Sequence, residues 1–176
     1  MRRLTPALFL DRDGVINVDR GYVHTPEAFE LIDGAADCIR AFNDRGWYVF
    51  VVTNQSGIAR GYYTEDDMHA LHAHMASELD AAAGARIDRV YFCPYHAEGE
   101  VARYRKDSID RKPRPGMLLQ AMADFPVHRE HSFLIGDKDS DLEAARAAGV
   151  AGFLFRGGNL AHFAEWVLAD FDFSGR

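Results

Sequence analysis

Cysteine is scarce in this sequence: Cys38 and Cys93 stand alone among 176 residues, too few for a disulfide framework. Nowhere is there an apolar run of about 20 residues that would span a bilayer, and nothing resembles a signal peptide. A cytoplasmic location without membrane attachment is expected. Basic charge is also in short supply, with 20 Lys and Arg against 27 Asp and Glu and a formal net charge of -7. That balance argues against a nucleic-acid binder, because affinity for a phosphate backbone needs a basic face. Any anionic ligand must be met by a few local cations. No repeat, low-complexity tract or linker divides the chain, so one domain over residues 1–176 is expected, working as a monomer.

Short β-rich runs at 7–10, 48–52, 89–92, 132–135 and 152–155 alternate with helical patterns at 35–45, 65–82, 116–124, 139–148 and 160–168. This alternation predicts an α/β, Rossmann-like three-layer sandwich around a mostly parallel sheet of five or six strands. Thr64 and Asp67 have the spacing of a capping arrangement at the start of the second helix. Residues 93–112 form one long irregular, charged connection. His69, His72 and His74 lack a metal-binding His-Glu-x-x-His pattern and are read as a wet helix face. Cys38, Trp47 and Trp166 are read as packing groups.

The chemistry gathers just past the strand ends. The first run ends in Phe9-Leu10-Asp11-Arg12-Asp13-Gly14, with two carboxylates two residues apart. Placing two acids at a buried strand end is costly unless a cation or donated hydrogen bonds offset the repulsion. Thr53-Asn54-Gln55-Ser56-Gly57 comes after the second run and Gly136-Asp137-Lys138-Asp139-Ser140-Asp141 after the fourth. Parallel strands bring all three to one sheet edge. Lys112, just before the third helix, is placed to close over the same point.

Singly, each residue has an ordinary role: a strand-end hydroxyl for Thr53, a solvated side chain for Lys112, a helix cap for Asp137. Together they meet the needs of phosphoryl transfer, which requires an oxygen nucleophile, a divalent cation and donors for the equatorial oxygens. Asp11 is expected to attack phosphorus, and Asp13 to protonate the leaving alcohol and then activate water. Asp11, Asp137 and the Asp13 backbone carbonyl offer hard oxygen ligands suited to Mg2+. Asp141, one turn beyond Asp137, is expected to orient Lys112 or a metal-bound water.

These four segments resemble the motifs of the haloacid dehalogenase superfamily phosphatases. Within that superfamily, 16–24, 53–61 and Arg111-Lys112-Pro113 resemble the heptose bisphosphate phosphatases, with the histidinol-phosphate phosphatases as near alternative. The resemblance implies Asp11 as nucleophile, Asp13 as acid and base, and Thr53 and Lys112 as phosphoryl stabilisers. It also implies substrate contacts from Asp19, Arg20, Gly21, Tyr22, Thr53, Asn54, Gln55, Ser56, Arg111, Lys112 and Lys138. The implied substrate is a phosphorylated sugar, a heptose 1,7-bisphosphate losing its 7-phosphate, in the supply of activated heptose for lipopolysaccharide or other surface glycans. Little chain separates Asp13 from Thr53, so no large cap domain is expected; residues 19–24, Arg60 and the 93–112 loop are expected to set selectivity.

Many members of this group carry a zinc loop reading Cys-x-His and then Cys-x-Cys before Arg-Lys-Pro. This chain instead has Cys93-Pro94-Tyr95-His96 and Ser108-Ile109-Asp110-Arg111. Cys93 and His96 fall short of a tetrahedral N/S site, so no structural zinc is expected, and pairing of His96 or Arg103 with Asp110 is expected to help hold the loop. A non-enzymatic phosphoryl receiver would use a similar acidic set, but it needs an acid after the third strand. Here that run ends in Tyr91-Phe92-Cys93.

Overall fold

The computed structural model describes residues 3–171; the ends of the expected 1–176 domain lie outside the described residues. Its centre is β1 (Ala7–Leu10), four apolar residues buried at every position. A strand covered on both faces has no polar side, which is why it reads as a continuous apolar run. β2 (Tyr48–Asn54), β3 (Arg89–Cys93), β4 (Phe133–Gly136) and β5 (Ala151–Leu154) join it in the order β3-β2-β1-β4-β5, every pairing parallel.

The strands' alternation divides the core. Leu8, Leu10, Val49, Val51, Phe133 and Ile135 face α1 (Ala35–Asp44), α2 (Glu65–Ala83) and α5 (Leu160–Asp170). Ala7, Phe9, Phe50, Val52 and Leu134 face α3 (Gly116–Asp124) and α4 (Asp139–Ala147). Successive side chains point to opposite faces, so one sheet serves two cores and produces the expected three layers. Between β1 and β2 stand only a short 3-10 turn at Pro26–Ala28 and α1, with no inserted cap domain.

Most element boundaries fall within a residue or two of those expected, and the departures have visible causes. β2 continues through Thr53 and Asn54 because they keep pairing with Phe92 and Cys93 of β3. Ser132 is outside β4: its hydroxyl accepts from the Ala7 amide at 2.9 Å and donates to the His128 carbonyl at 2.7 Å. Thr64 and Asp67 form the expected reciprocal cap on α2. Trp166 departs from its reading as a packing group, since it is 55% exposed, its ring tilted against that of Phe163.

The 93–112 connection is more ordered than its composition suggested. Tyr104, in a 3-10 turn at Ala102–Tyr104, packs with Ile58, Ala59, Tyr63 and Met68 in a small third core. The Val101 amide donates to the Ala59 carbonyl at 2.9 Å, and Lys106 Nζ lies 3.9 Å from the centre of the Tyr95 ring. The expected pairing of Asp110 is replaced by other contacts. Arg103 lies over the Tyr104 ring, and His96 sits beside Arg60 and accepts from the Glu98 amide.

Candidate active site

The chain runs from β1 through β2 to β3 on one side of β1 and returns to β4 on the other. Ligands of open parallel sheets bind beyond the strands' carboxyl ends at such a reversal. Asp11, Thr53 and Asp137 stand there, each just inside or just past the end of β1, β2 or β4.

Asp11 and Lys112 form the buried centre. Lys112 Nζ lies 2.9 Å from Asp11 Oδ1, 2.6 Å from Asp141 Oδ1 and 2.7 Å from the Val52 carbonyl oxygen, so all three of its hydrogens are used. The Arg12 amide also donates to Asp11 Oδ1 at 2.9 Å, leaving Oδ2 of Asp11 for other chemistry. Burial pushes the Asp11 carboxyl up to about 7, against the pull of Lys112. Burial works against the Lys112 charge too, but Asp11 and Asp141 outweigh it and raise the ammonium's pKa. Asn54 fixes this lysine's backbone, donating to its carbonyl at 3.1 Å and accepting from its amide at 3.0 Å.

Carboxylate oxygens of Asp11, Asp137 and Asp141 lie within 4.8 Å of one another, the one such convergence of three acidic, histidine or cysteine ligands among the described residues. The buried Lys112 ammonium meets two of these carboxylates, Asp11 and Asp141, while burial raises the pKa of Asp137 against the opposing pull of Asp11 and of the Lys138 charge. Asp137 Oδ1 is buried without a hydrogen-bond partner among the described residues. Asp141 is differently placed: Oδ1 meets Lys112, and Oδ2 accepts from the Asp137 and Lys138 amides at 3.1 Å each. Its oxygens are already committed, whereas Asp11 and Asp137 keep lone pairs for a cation. An all-oxygen, negatively charged set fits Mg2+ better than zinc.

Asp13 sits at the cavity wall. Its Oδ1 accepts from Arg12 Nη2 and Asn17 Nδ2, both at 3.0 Å, while Gln55 Nε2 approaches Oδ2 at a longer 3.3 Å. Gln55 Nε2 also donates to Thr53 Oγ1 at 2.8 Å, and Tyr63 donates its hydroxyl hydrogen to Gln55 Oε1. Gly14 lets Asp137 approach: a Cβ there would lie 2.2 Å from Asp137 Oδ2, and its φ of +85° disfavours any other residue.

A cavity of about 490 Å³ opens over this centre, lined by Asp13, Asp19, Gly21, Tyr22, Asn54, Gln55, Ser56, Arg111, Lys112 and Lys138 from the expected set. Thr53 is buried and does not line it. Arg20 is the exception on the substrate side, because its guanidinium pairs with Glu30 and donates to the Ala28 carbonyl. Lys138 and Asp19 face each other at 3.7 Å, and Arg111 Nη1 is buried without a hydrogen-bond partner among the described residues.

Tyr63 and Ser140 also line the cavity and were not expected from the sequence. Tyr63 directly precedes the capping Thr64, a position that anchors an aromatic ring against a helix start. His72 requires a correction: it points inward, with Nε2 3.1 Å from Arg12 Nη1, instead of lining a wet face as His69 does. Cys93 and His96 belong to no converging group of three such ligands among the described residues.

A family model described as HAD-hydrolase-like matches residues 109–167, which include Lys112, Asp137 and Asp141. A D-glycero-beta-D-manno-heptose-1,7-bisphosphate 7-phosphatase of Rhodopseudomonas palustris is 51% identical over 94% of this chain and 91% of its own length. A D-glycero-alpha-D-manno-heptose-1,7-bisphosphate 7-phosphatase of Burkholderia mallei is also 51% identical, over 82% of this chain and 76% of its own. Among solved structures, a D,D-heptose 1,7-bisphosphate phosphatase of B. bronchiseptica, complexed with magnesium and phosphate, superposes with a TM-score of 0.81 at 29% identity, over 95% of this chain and 100% of that one. The chain belongs to the haloacid dehalogenase superfamily, in the same phosphatase family as these relatives.

Proposed function

We propose that this chain is a Mg2+-dependent phosphomonoesterase of the cytoplasm, acting as a monomeric single domain, that removes the 7-phosphate of D-glycero-D-manno-heptose 1,7-bisphosphate. The observation that carries this reading is the pairing of two unpartnered polar atoms: Asp137 Oδ1 in the acidic cluster and Arg111 Nη1 at the cavity. The first suits a divalent cation beside the reacting phosphate, and the second suits the anionic far end of a bisphosphate.

Asp11 and Asp137 would hold Mg2+ with the Asp13 carbonyl, and the bound ion would neutralise charge as an anionic nucleophile meets an anionic ester. The Asp11 carboxylate attacks phosphorus in line with the leaving oxygen, forming the aspartyl phosphate and breaking the ester bond. Asp13 gives its proton to the departing alkoxide, then takes one from the water that attacks the aspartyl phosphate. Inorganic phosphate leaves and Asp11 is regenerated. The Thr53 hydroxyl keeps a hydrogen for an equatorial oxygen, while Lys112 must exchange one of its three present contacts to offer the same. Asp141 holds Lys112 in place.

The relatives with alpha- and beta-anomer names match this chain at equal identity, so the proposal covers both anomers. Phosphate release is to be measured with both heptose bisphosphates, histidinol phosphate and fructose 1,6-bisphosphate, with Mg2+ and with a chelator. Fast, chelator-sensitive turnover of a heptose bisphosphate is expected, and Asp11→Asn is expected to abolish it. A heptose bisphosphate turned over no faster than histidinol phosphate, or wild-type turnover by Asp11→Asn, contradicts the reading.

A further inference from the structure

Arg12 lies between the two catalytic carboxylates in the chain, and its side chain is 1% exposed. A guanidinium stays charged at any physiological pH, so a buried one is held by the acceptors it finds; Nε of Arg12 has none among the described residues, which leaves the two terminal nitrogens to fix the side chain. Nη2 donates to the Val23 carbonyl at 2.7 Å and to Asp13 Oδ1 at 3.0 Å. Nη1 has a different partner, His72 Nε2 at 3.1 Å, from the second turn of α2. That contact requires a lone pair on Nε2 and hence the ring proton on Nδ1. The neutral ring it needs is favoured, because burial, then the Arg12 charge and His69, pull the His72 pKa down to about 3.

The consequence runs through to Asp13. Arg12 and Asn17 saturate Oδ1, so Oδ2 is the oxygen left to exchange a proton with substrate, with only the long 3.3 Å Gln55 contact against it. The planar fork of Arg12 holds this orientation only while its other arm has an acceptor. We propose that His72 is a positioning residue for the proton-transferring step, acting through Arg12 to fix the rotamer of Asp13. α2, otherwise remote from the reacting atoms, is thereby tied to the site. This inference rests on the reading of Asp13 as the general acid.

A role in leaving-group protonation leaves a signature that general destabilisation does not. An alkyl phosphate must lose a poor leaving group and needs the proton, whereas p-nitrophenyl phosphate releases an anion stable near neutral pH. kcat/KM reports the phosphorylation of Asp11, in which that proton moves. In wild-type protein and variants, kcat/KM is to be measured with p-nitrophenyl phosphate and with whichever heptose bisphosphate, histidinol phosphate or fructose 1,6-bisphosphate is turned over best. His72→Leu is expected to lower the alkyl value about 10- to 100-fold, part of the roughly 10²- to 10⁴-fold a positioned general acid contributes, and the aryl value by less than about 3-fold. His72→Gln, whose side-chain oxygen can accept from Arg12, is expected to recover most of the loss. Equal losses on both substrates, or no loss, overturn the proposal. Should His72→Leu fail to fold, Arg12→Lys keeps the charge without the fork, and the same ratio decides. Asp13→Ala separates the two layers: if its alkyl-to-aryl ratio stays at the wild-type value, the acid reading itself fails and this proposal with it. If the ratio collapses in Asp13→Ala but holds in His72→Leu, only the role of His72 falls.

Discussion

Lys112 bridges Asp11 and Asp141 at 2.9 and 2.6 Å with all three side chains buried, so one ammonium from the connection before α3 ties the end of β1 to the first turn of α4. This geometry makes the lysine a structural counter-ion as much as a phosphate ligand. Removing one partner of a buried pair leaves uncompensated charge, which costs far more than the intact pair contributes.

Lys112→Met is therefore expected to lose activity and stability together. The two carboxylates would face each other without a cation, and the Asp11 carboxyl would rise further above its usual range, leaving less anionic nucleophile at neutral pH. A loss of about 3–5 kcal/mol in unfolding free energy is expected in metal-free buffer. Urea denaturation checks it, and wild-type stability in this variant would contradict the counter-ion role.

The close approach of Gly14 to Asp137 gives a separate handle on the metal. Gly14→Ala places a methyl group 2.2 Å from Asp137 Oδ2, at a φ that already disfavours alanine. Displacing a group that orients a ligand costs about 10- to 100-fold in metal affinity, and that rise in half-saturating Mg2+ is expected here. Calorimetric titration of Mg2+ into the folded variant is the measurement. An unchanged affinity would show that Asp137 does not hold the ion.

Arg111 is expected to act on the substrate and not on the chemistry. Its unpartnered Nη1 faces the need for an anion, and a charge-assisted hydrogen bond contributes about 1.5–3 kcal/mol. Arg111→Ala should lower kcat/KM for a heptose bisphosphate about 10- to 100-fold and leave p-nitrophenyl phosphate within about 3-fold. Equal loss on both would assign Arg111 to the transferred phosphate instead.

The fold was legible because the sheet is parallel and doubly covered. Runs such as Ala7–Leu10 are uniformly apolar, and acids stand where they stop. The buried centre was legible for a related reason: Asp11, Asp137 and Lys112 are polar residues in places where a packed sheet edge gives them nothing to do except meet. Orientation was not legible. Arg20 sits in the right segment but turns to Glu30, a partner whose position depends on how the loop folds. His72 shares α2 with the exposed His69 and differs only in where the helix leans on the turn after β1. No periodicity distinguishes a histidine facing water from one facing a buried guanidinium three residues away.

That half-buried histidine also sets an expectation for acid stability. In the folded chain His72 takes up its proton only near pH 3, whereas in the unfolded chain it does so near 6.5. Below 6.5 the unfolded state holds the extra proton, so this group's contribution to stability is present above 6.5 and falls as pH drops toward 3. The slope is about 1.4 kcal/mol per pH unit for one fully linked group. His72→Gln does not titrate. Between about pH 7 and about pH 5, wild type should lose roughly 2 kcal/mol more unfolding free energy than the Gln variant. Parallel urea-stability curves for the two proteins across that interval would mean that His72 is protonated as easily in the fold as in the unfolded chain, and that Arg12 does not hold it neutral.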